Sequence, residues 1–191
     1  MSLPHALLGL INYKPATGYE LKARFEQSVH FFWNAGLPQI YRSLNEMKLK
    51  GWLSLTVQHQ DGRPSRKVYS LTQSGREELL RWLSEPGEMS ESRHQLMIKV
   101  FFGNQSGMDS LADHIKGWRD HHLAMVRTYE TNASSLLERY AALVGSPGDA
   151  FCWGLTLDYG KRHAQMVVEW CDQALKEIEG LQQRGAEKKD K

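Results

Sequence analysis

Apolar residues recur along this chain at two different spacings, and the change between them divides it. Leu3 to Ile11 is almost wholly apolar, which predicts a first helix, mostly buried and ended by Asn12-Tyr-Lys-Pro15. Thr17 and Glu20 stand at the spacing of a capping box, with Leu21 and Phe25 one turn apart behind them, so a second helix is expected from about Gly18 to Ser28. His30-Phe-Phe-Trp-Asn-Ala-Gly36 reads as an aromatic loop packed onto the core. Leu37, Ile40, Leu44 and Met47 then fall on one face of a third helix that ends near Lys50, with Pro38 as its first residue. That phase sends Gln39, Arg42, Ser43 and Glu46 outward and leaves Tyr41 at the border.

After Gly51 the period shortens to two. Leu53, Leu55 and Val57 alternate with Ser54, Thr56 and Gln58, the pattern of a strand with one buried side, and Val68 to Leu71 pairs back with it. Between them Asp61-Gly-Arg-Pro-Ser-Arg-Lys67 is expected as a turn whose exposed tip carries Arg63, Arg66 and Lys67. Thr72 or Ser74 can cap a fourth helix that places Leu79, Leu80, Trp82 and Leu83 against the core, and Glu85-Pro-Gly87 stops it. Three helices, a two-stranded hairpin and a following helix make a winged helix-turn-helix.

Beyond residue 84 the chain shows only long helical patterns. A connecting helix is expected from Glu88 to Phe102, and a long one from Ser106 to Val144, capped by Ser106 or Asp109. Its seam runs through Met108, Leu111, Ile115, Trp118, His122, Met125 and Tyr129, then drifts through Ala133, Leu136 or Leu137, and Tyr140. Such a helix would be about 60 Å long and needs other long helices to pack against. Gly145-Ser-Pro-Gly148 is a turn, Asp149 can cap the helix after it, and Cys152, Leu155, Tyr159, Met166, Trp170, Ala174, Ile178 and Leu181 form the seam of the returning arm. Phe151, Trp153 and Val167 lie off that seam, so the hairpin has more apolar surface than it can bury on itself, which predicts a dimer. The expected division is a winged helix over 1–84, a connecting helix over 85–103, a helical hairpin over 104–185 and a frayed tail over 186–191.

Charge sharpens this division. The chain carries only +2 overall, but residues 1–84 hold eleven Lys and Arg against six Asp and Glu, and residues 85–191 hold thirteen against sixteen. A basic front half and an acidic back half suggest that one meets a polyanion and the other does not. The basic tip beside an amphipathic helix is what grips a phosphate backbone, and Gln39 and Arg42 carry donors and acceptors suited to base edges. A basic turn is also an ordinary solvated surface, so the tip alone leaves both readings open. The opening Met-Ser-Leu-Pro-His lacks the basic start of a signal peptide and no run is long enough to span a bilayer, so a cytoplasmic protein is expected. Cys152 and Cys171, about 28 Å apart if they share one helix, are expected to pack rather than pair. No Gly-rich phosphate loop, nucleophile elbow or Cys-x-x-Cys pair occurs, and His114, His121 and His122 do not converge as metal ligands; neither an enzyme nor a cofactor or metal site is expected.

Thr17-Gly-Tyr-Glu-Leu21, Gln39-Ile-Tyr-Arg-Ser-Leu44 followed by Lys50-Gly-Trp-Leu53, and Gly62-Arg-Pro with Lys67-Val-Tyr-Ser-Leu-Thr72 and Gly75-Arg76 occur in one order and spacing. In these the chain resembles the PadR family of bacterial transcriptional regulators, and its back half is similar to the branch with a virulence-activator-type C-terminal domain. The resemblance implies a homodimer that sets two recognition helices in successive major grooves of a pseudo-palindromic DNA site. It puts Gln39, Tyr41, Arg42 and Ser43 on the recognition helix and Arg63, Arg66 and Lys67 on the wing. Ser65 stands where the family often has another basic residue. Tyr19 either contacts a phosphate or packs between helices, with packing favoured. Some family members take phenolic or other aromatic ligands, for which Trp118, Trp153 and Trp170 are the candidates here, although aromatics at helical spacing are more often core. A different class of function, a winged-helix adaptor that binds protein instead of DNA, remains the alternative.

Overall fold

The computed structural model describes residues 3–29, 33–60, 62–87, 94–133 and 146–187, which form two compact units, Met1–Met89 and Ser90–Lys191. The order in the first is α1 (Leu3–Tyr13), β1 (Ala16–Thr17), α2 (Gly18–Gln27), α3 (Leu37–Leu49), β2 (Leu53–Gln60), β3 (Arg63–Leu71) and α4 (Gln73–Ser84). In the second it is α5 (Gln95–Phe101), a 3-10 turn (Gly103–Gln105), α6 (Met108–Thr128), a π-helical turn (Tyr129–Ala133) and α7 (Pro147–Glu187).

The core of the first unit is built from the periodic residues. Leu7, Leu8, Ile11, Leu21, Phe25, Ile40, Leu44 and Met47 are all fully buried, and Leu53 and Tyr69 of the sheet and Leu79 of α4 are buried in the same cluster. The capping box of α2 forms as its spacing predicts: the Glu20 amide donates to Thr17 Oγ1 at 3.3 Å and the Thr17 amide to Glu20 Oε2 at 2.8 Å. The sheet has three strands, ordered β1-β3-β2 and antiparallel throughout, not the two expected. The extra strand is only Ala16 and Thr17, paired with Tyr69 and Val68, too short to leave a period-two signal. The hairpin strands are also longer than expected, because pairing with β2 carries β3 through Arg66 and Lys67 as far as Arg63, leaving the turn at Gly62 with φ +69°.

Leu79 and Trp82 of α4 face inward, but Leu80 and Leu83 are exposed, against expectation. Close approach of Gly75 to the Trp52 carbonyl fixes the rotation of α4, so the inner face is 75, 79 and 82. Trp82 stacks on His5 with centroids 4.6 Å apart, and His5 Nε2 meets Glu78 Oε1 at 3.0 Å. Hydrogen bonds from Arg81 and His5 hold the Glu78 carboxyl down at about 2. A carboxylate depressed in the folded state adds stability that is complete above its ordinary value of 4.5 and is lost as pH falls from there towards 2. Glu78→Gln is therefore expected to flatten the decline of melting temperature between pH 4.5 and pH 2; an unchanged acid slope would show that Glu78 does not carry it.

In the second unit α6 packs along α7. The expected α6 seam is inward at Leu111, Ile115, His122 and Tyr129, all buried, but one position differs: Val126 is buried in place of Met125, which is only half-buried. Neither Ser106 nor Asp109 caps this helix: Gly107, at φ +89°, is its N-cap residue, and Ser106 donates back to the Gly103 carbonyl. The expected drift past Tyr129 begins at the π-helical turn Tyr129–Ala133, whose wider winding shifts the helical phase there. Leu136, Leu137 and Tyr140 lie outside the described residues, as do His30 to Phe32, Asp61 and residues 88–93; the helix expected from Glu88 through Phe102 is instead α5, which begins only after the extended N-cap residue His94. Ser146 rather than Asp149 caps α7, accepting from the Asp149 amide at 3.3 Å.

The seam of α7 is rotated by about one residue from expectation. Ala164, Val167, Cys171, Leu175 and Ile178 are buried, while Leu155, Tyr159 and Met166 are 56%, 69% and 53% exposed. Small residues decide the phase: Tyr129 lies against Gly160, where a Cβ would stand 2.5 Å from its hydroxyl oxygen. Both cysteines lie on α7, Cys152 exposed and Cys171 buried and unpaired. No helix among the described residues is long and apolar enough to cross a membrane.

Candidate nucleic-acid interface

Helix α3 begins after Gly36, with Pro38 in its first turn, and Gln39 reaches back so that its Oε1 accepts from the Gly36 amide at 2.9 Å. Gln39 thus helps to fix the helix start with its oxygen and keeps its amide donors on an exposed side chain. Arg42 and Glu46 are exposed on the same face. Ser43 is not. At 8% exposure it sits on the inner stripe beside Ile40 and Met47, three residues after one and four before the other, so it cannot touch a base edge in this conformation.

Tyr41 is half-buried. Its ring covers Gly18, where any Cβ would come within 2.8 Å of it, and it meets Tyr19 edge to face at 6.2 Å. Burial, then the neighbouring Tyr19, pushes the Tyr41 hydroxyl above its ordinary range, so it stays a neutral donor. Tyr19 is 70% exposed.

The hairpin holds the basic residues in unlike surroundings. Lys67 is exposed, opposite Val57. Arg66 is tied to Glu20 of α2, Nη2 to Oε1 at 2.6 Å. Arg63 stands at the start of β3, opposite Gln60. Ser65 bonds His59 Nδ1 at 3.0 Å across the hairpin. Other cations of this unit serve the fold: Lys22 donates to the Ala35 carbonyl, Arg24 to the Lys14 carbonyl and Arg76 to Asn12. Sequence reasoning missed Glu20 as the partner of Arg66. Forty-six residues separate them, and Glu20 was already accounted for by its cap.

The three candidate tryptophans of the second unit do not converge. Trp118 and Trp170 both pack on the Ile115 and Cys171 cluster, but Trp153 lies seventeen residues before Trp170 on α7, about 25 Å along the axis. Trp118 instead borders a cleft of about 340 Å³ with His94, Gln95, Leu96, Lys99 and His114. Its backbone carbonyl bonds Nδ1 of the buried His122 at 2.9 Å. Burial holds that imidazole below its ordinary range, and His121, His163 and His94 push the same way. Among the described residues no group of His, Cys, Asp or Glu is arranged to hold a metal ion.

Known proteins share this fold. The pattern of the transcriptional regulator PadR-like family matches residues 7–81, and that of the virulence activator alpha C-terminal domain matches residues 92–179. A probable transcriptional regulator of Mycobacterium tuberculosis is 31% identical over 96% of this chain and all of its own length. The negative transcriptional regulator PadR of Bacillus subtilis is 25% identical over 93% of this chain and 97% of its own. Its crystal structure in complex with operator DNA shares the fold, with TM-score 0.76 and 24% identity over 93% of this chain and 99% of that one. It has also been crystallised with p-coumaric acid. The Vibrio cholerae virulence activator AphA matches with TM-score 0.72 and 26% identity, over 94% of this chain and 99% of its own.

Proposed function

The chain belongs to the PadR-like family of DNA-binding transcriptional regulators, and from that premise we propose that it is a homodimeric, sequence-specific repressor that a small aromatic ligand releases from DNA. The observation that carries the reading is that one unit presents an amphipathic helix with Gln39 and Arg42 outward and a hairpin with Arg66 and Lys67. These are the two parts such a module needs, one for base edges and one for the backbone. In this assignment Gln39 and Arg42 read sequence, Tyr41 orients α3 against α2, Tyr19 offers its hydroxyl to a phosphate, and Arg63, Arg66 and Lys67 hold the backbone.

Two further observations support the finer parts. Phe151, Leu155, Tyr159 and Met166 make an exposed apolar stripe along α7, with Ile98 and Phe101 exposed on α5. Apolar surface of this extent fits a second copy of the chain. The Trp118 cleft offers an aromatic face, with Lys99, His94 and His114 as donors to an acid group. The sign of regulation and the ligand class are taken from the Bacillus subtilis relative, a negative regulator crystallised with p-coumaric acid.

Base readout is tested by Arg42→Ala. It is expected to change the preferred bases at one position of each half-site, costing about 1–3 kcal/mol on the best site while leaving binding to unrelated duplex unchanged. Equal losses on every sequence would place Arg42 on the backbone instead. Ligand release is tested by titrating phenolic acids: quenching of tryptophan fluorescence and loss of DNA affinity are expected at the same concentration, and quenching without loss of affinity would remove the switch.

A further inference from the structure

We propose that Glu20 is a positioning residue for DNA binding: its carboxylate holds the Arg66 guanidinium in place for a backbone phosphate. This inference rests on the assignment of the hairpin as a DNA-contacting wing and adds what fixes its geometry. The two carboxylate oxygens of Glu20 are divided between two tasks. Oε2 accepts from the Thr17 amide at 2.8 Å and the Thr17 hydroxyl at 2.9 Å, while Oε1 accepts from Arg66 Nη2 at 2.6 Å. Held twice by Thr17, the carboxylate cannot follow the arginine; the arginine is held by it.

The place of this bond in the hairpin matters. The pair Gln58 and Arg66 is the last regular one before the register slips between Gln58 and Gln60. On its other edge β3 pairs with β1 at Val68 and Tyr69, so Arg66 and Lys67 lie outside that pairing. A two-stranded projection is marginally stable by itself, and here its first unsupported stretch is tied to α2 by one ion pair. The bond to Glu20 occupies one N–H of a guanidinium that has five, and the Arg66 side chain is 41% exposed. The remaining donors are therefore pre-oriented, and the ordering entropy of the arginine is lost on folding, before DNA arrives. Hydrogen bonds from Thr17, then the nearby Arg66 charge, hold the Glu20 carboxyl below its ordinary range.

Glu20→Gln separates positioning from folding, because a glutamine can still close the capping box but cannot also accept from Arg66. The probe is a short duplex of mixed sequence, since phosphate contacts do not depend on sequence. Affinity for it is expected to fall about tenfold, and the slope of log affinity against log salt to fall by about one for each wing. Arg66→Gln is expected to do the same, and the double variant no more than either alone. The slope is the readout that a purely structural role would not move. Unchanged or tighter binding by Glu20→Gln, or losses that multiply in the double variant, would overturn the proposal. Should Glu20→Gln unfold at the assay temperature, Glu20→Asp, which keeps the charge but draws it back from Arg66 by one methylene, decides instead, and an unchanged slope would overturn the proposal. Failure of the unsubstituted protein to bind the duplex would instead remove the DNA-binding assignment beneath it.

Discussion

Replacing Arg63, Arg66 and Lys67 together by alanine is expected to weaken binding to every duplex, specific or not, by about a thousandfold at low salt, and to flatten its salt dependence. Each phosphate neutralised by a cation releases condensed counterions and contributes about 0.9 to the slope of log affinity against log salt. A dimer that loses three such contacts from each wing should lose about five from that slope. Base preference should survive, because Gln39 and Arg42 are on α3 and lie outside the substitution. The fold should survive too, since β3 keeps its pairing with β2 and the core partners Tyr69 and Leu71 are untouched. Gel retardation or fluorescence anisotropy across a salt series gives the slope directly. An unchanged slope would show that the hairpin is a solvated turn and that the phosphate grip lies elsewhere.

Gly75→Ala is expected to be the most damaging small substitution in the first unit. Thr72 begins α4: its hydroxyl accepts from the Gly75 amide at 3.1 Å and donates to the Gly51 carbonyl at 2.7 Å. Its backbone amide donates to the Trp52 carbonyl at 3.1 Å. These bonds draw the first turn of α4 onto the chain that leaves α3, and a Cβ at Gly75 would stand 2.1 Å from the Trp52 carbonyl oxygen. The obstacle is backbone, so no rotamer change relieves it, and α4 or the start of β2 must move. The cost is about 3 kcal/mol, enough to lower the melting temperature of a unit this size by on the order of 15 °C. Gly87→Ala, with open space around the site, is the matched control and should change little. Equal melting temperatures for the two variants would contradict this packing.

What the sequence disclosed and what it hid divide along the range of the forces involved. The capping box at Thr17 and Glu20, the start of α3 at Gly36 to Gln39 and the inward face of α6 were legible, because each depends on neighbours within a few residues. The exposure of Leu80 and Leu83, the burial of Ser43 and the rotated seam of α7 were not. For the two helices, a close approach from a distant segment chose among faces that the periodicity made nearly equivalent: Gly75 on Trp52 turned α4, and Gly160 on Tyr129 turned α7. The hairpin was legible as a hairpin, but its strand length was not. Backbone pairing extends β3 through residues whose side chains carry no alternation. Within the candidate site, the outward positions of Gln39 and Arg42 could be read from period alone, whereas the Arg66 and Glu20 pair needed the fold.

Recognition of a DNA sequence by a dimer of this chain is tested most directly by selecting genomic fragments with the purified protein and sequencing them. Enrichment of one pseudo-palindromic site is expected, with half-sites about one helical turn apart or a multiple of it, matching two α3 helices in successive major grooves. Retention of no fragment above background, under salt conditions that preserve the dimer, would contradict it and favour a protein-binding adaptor.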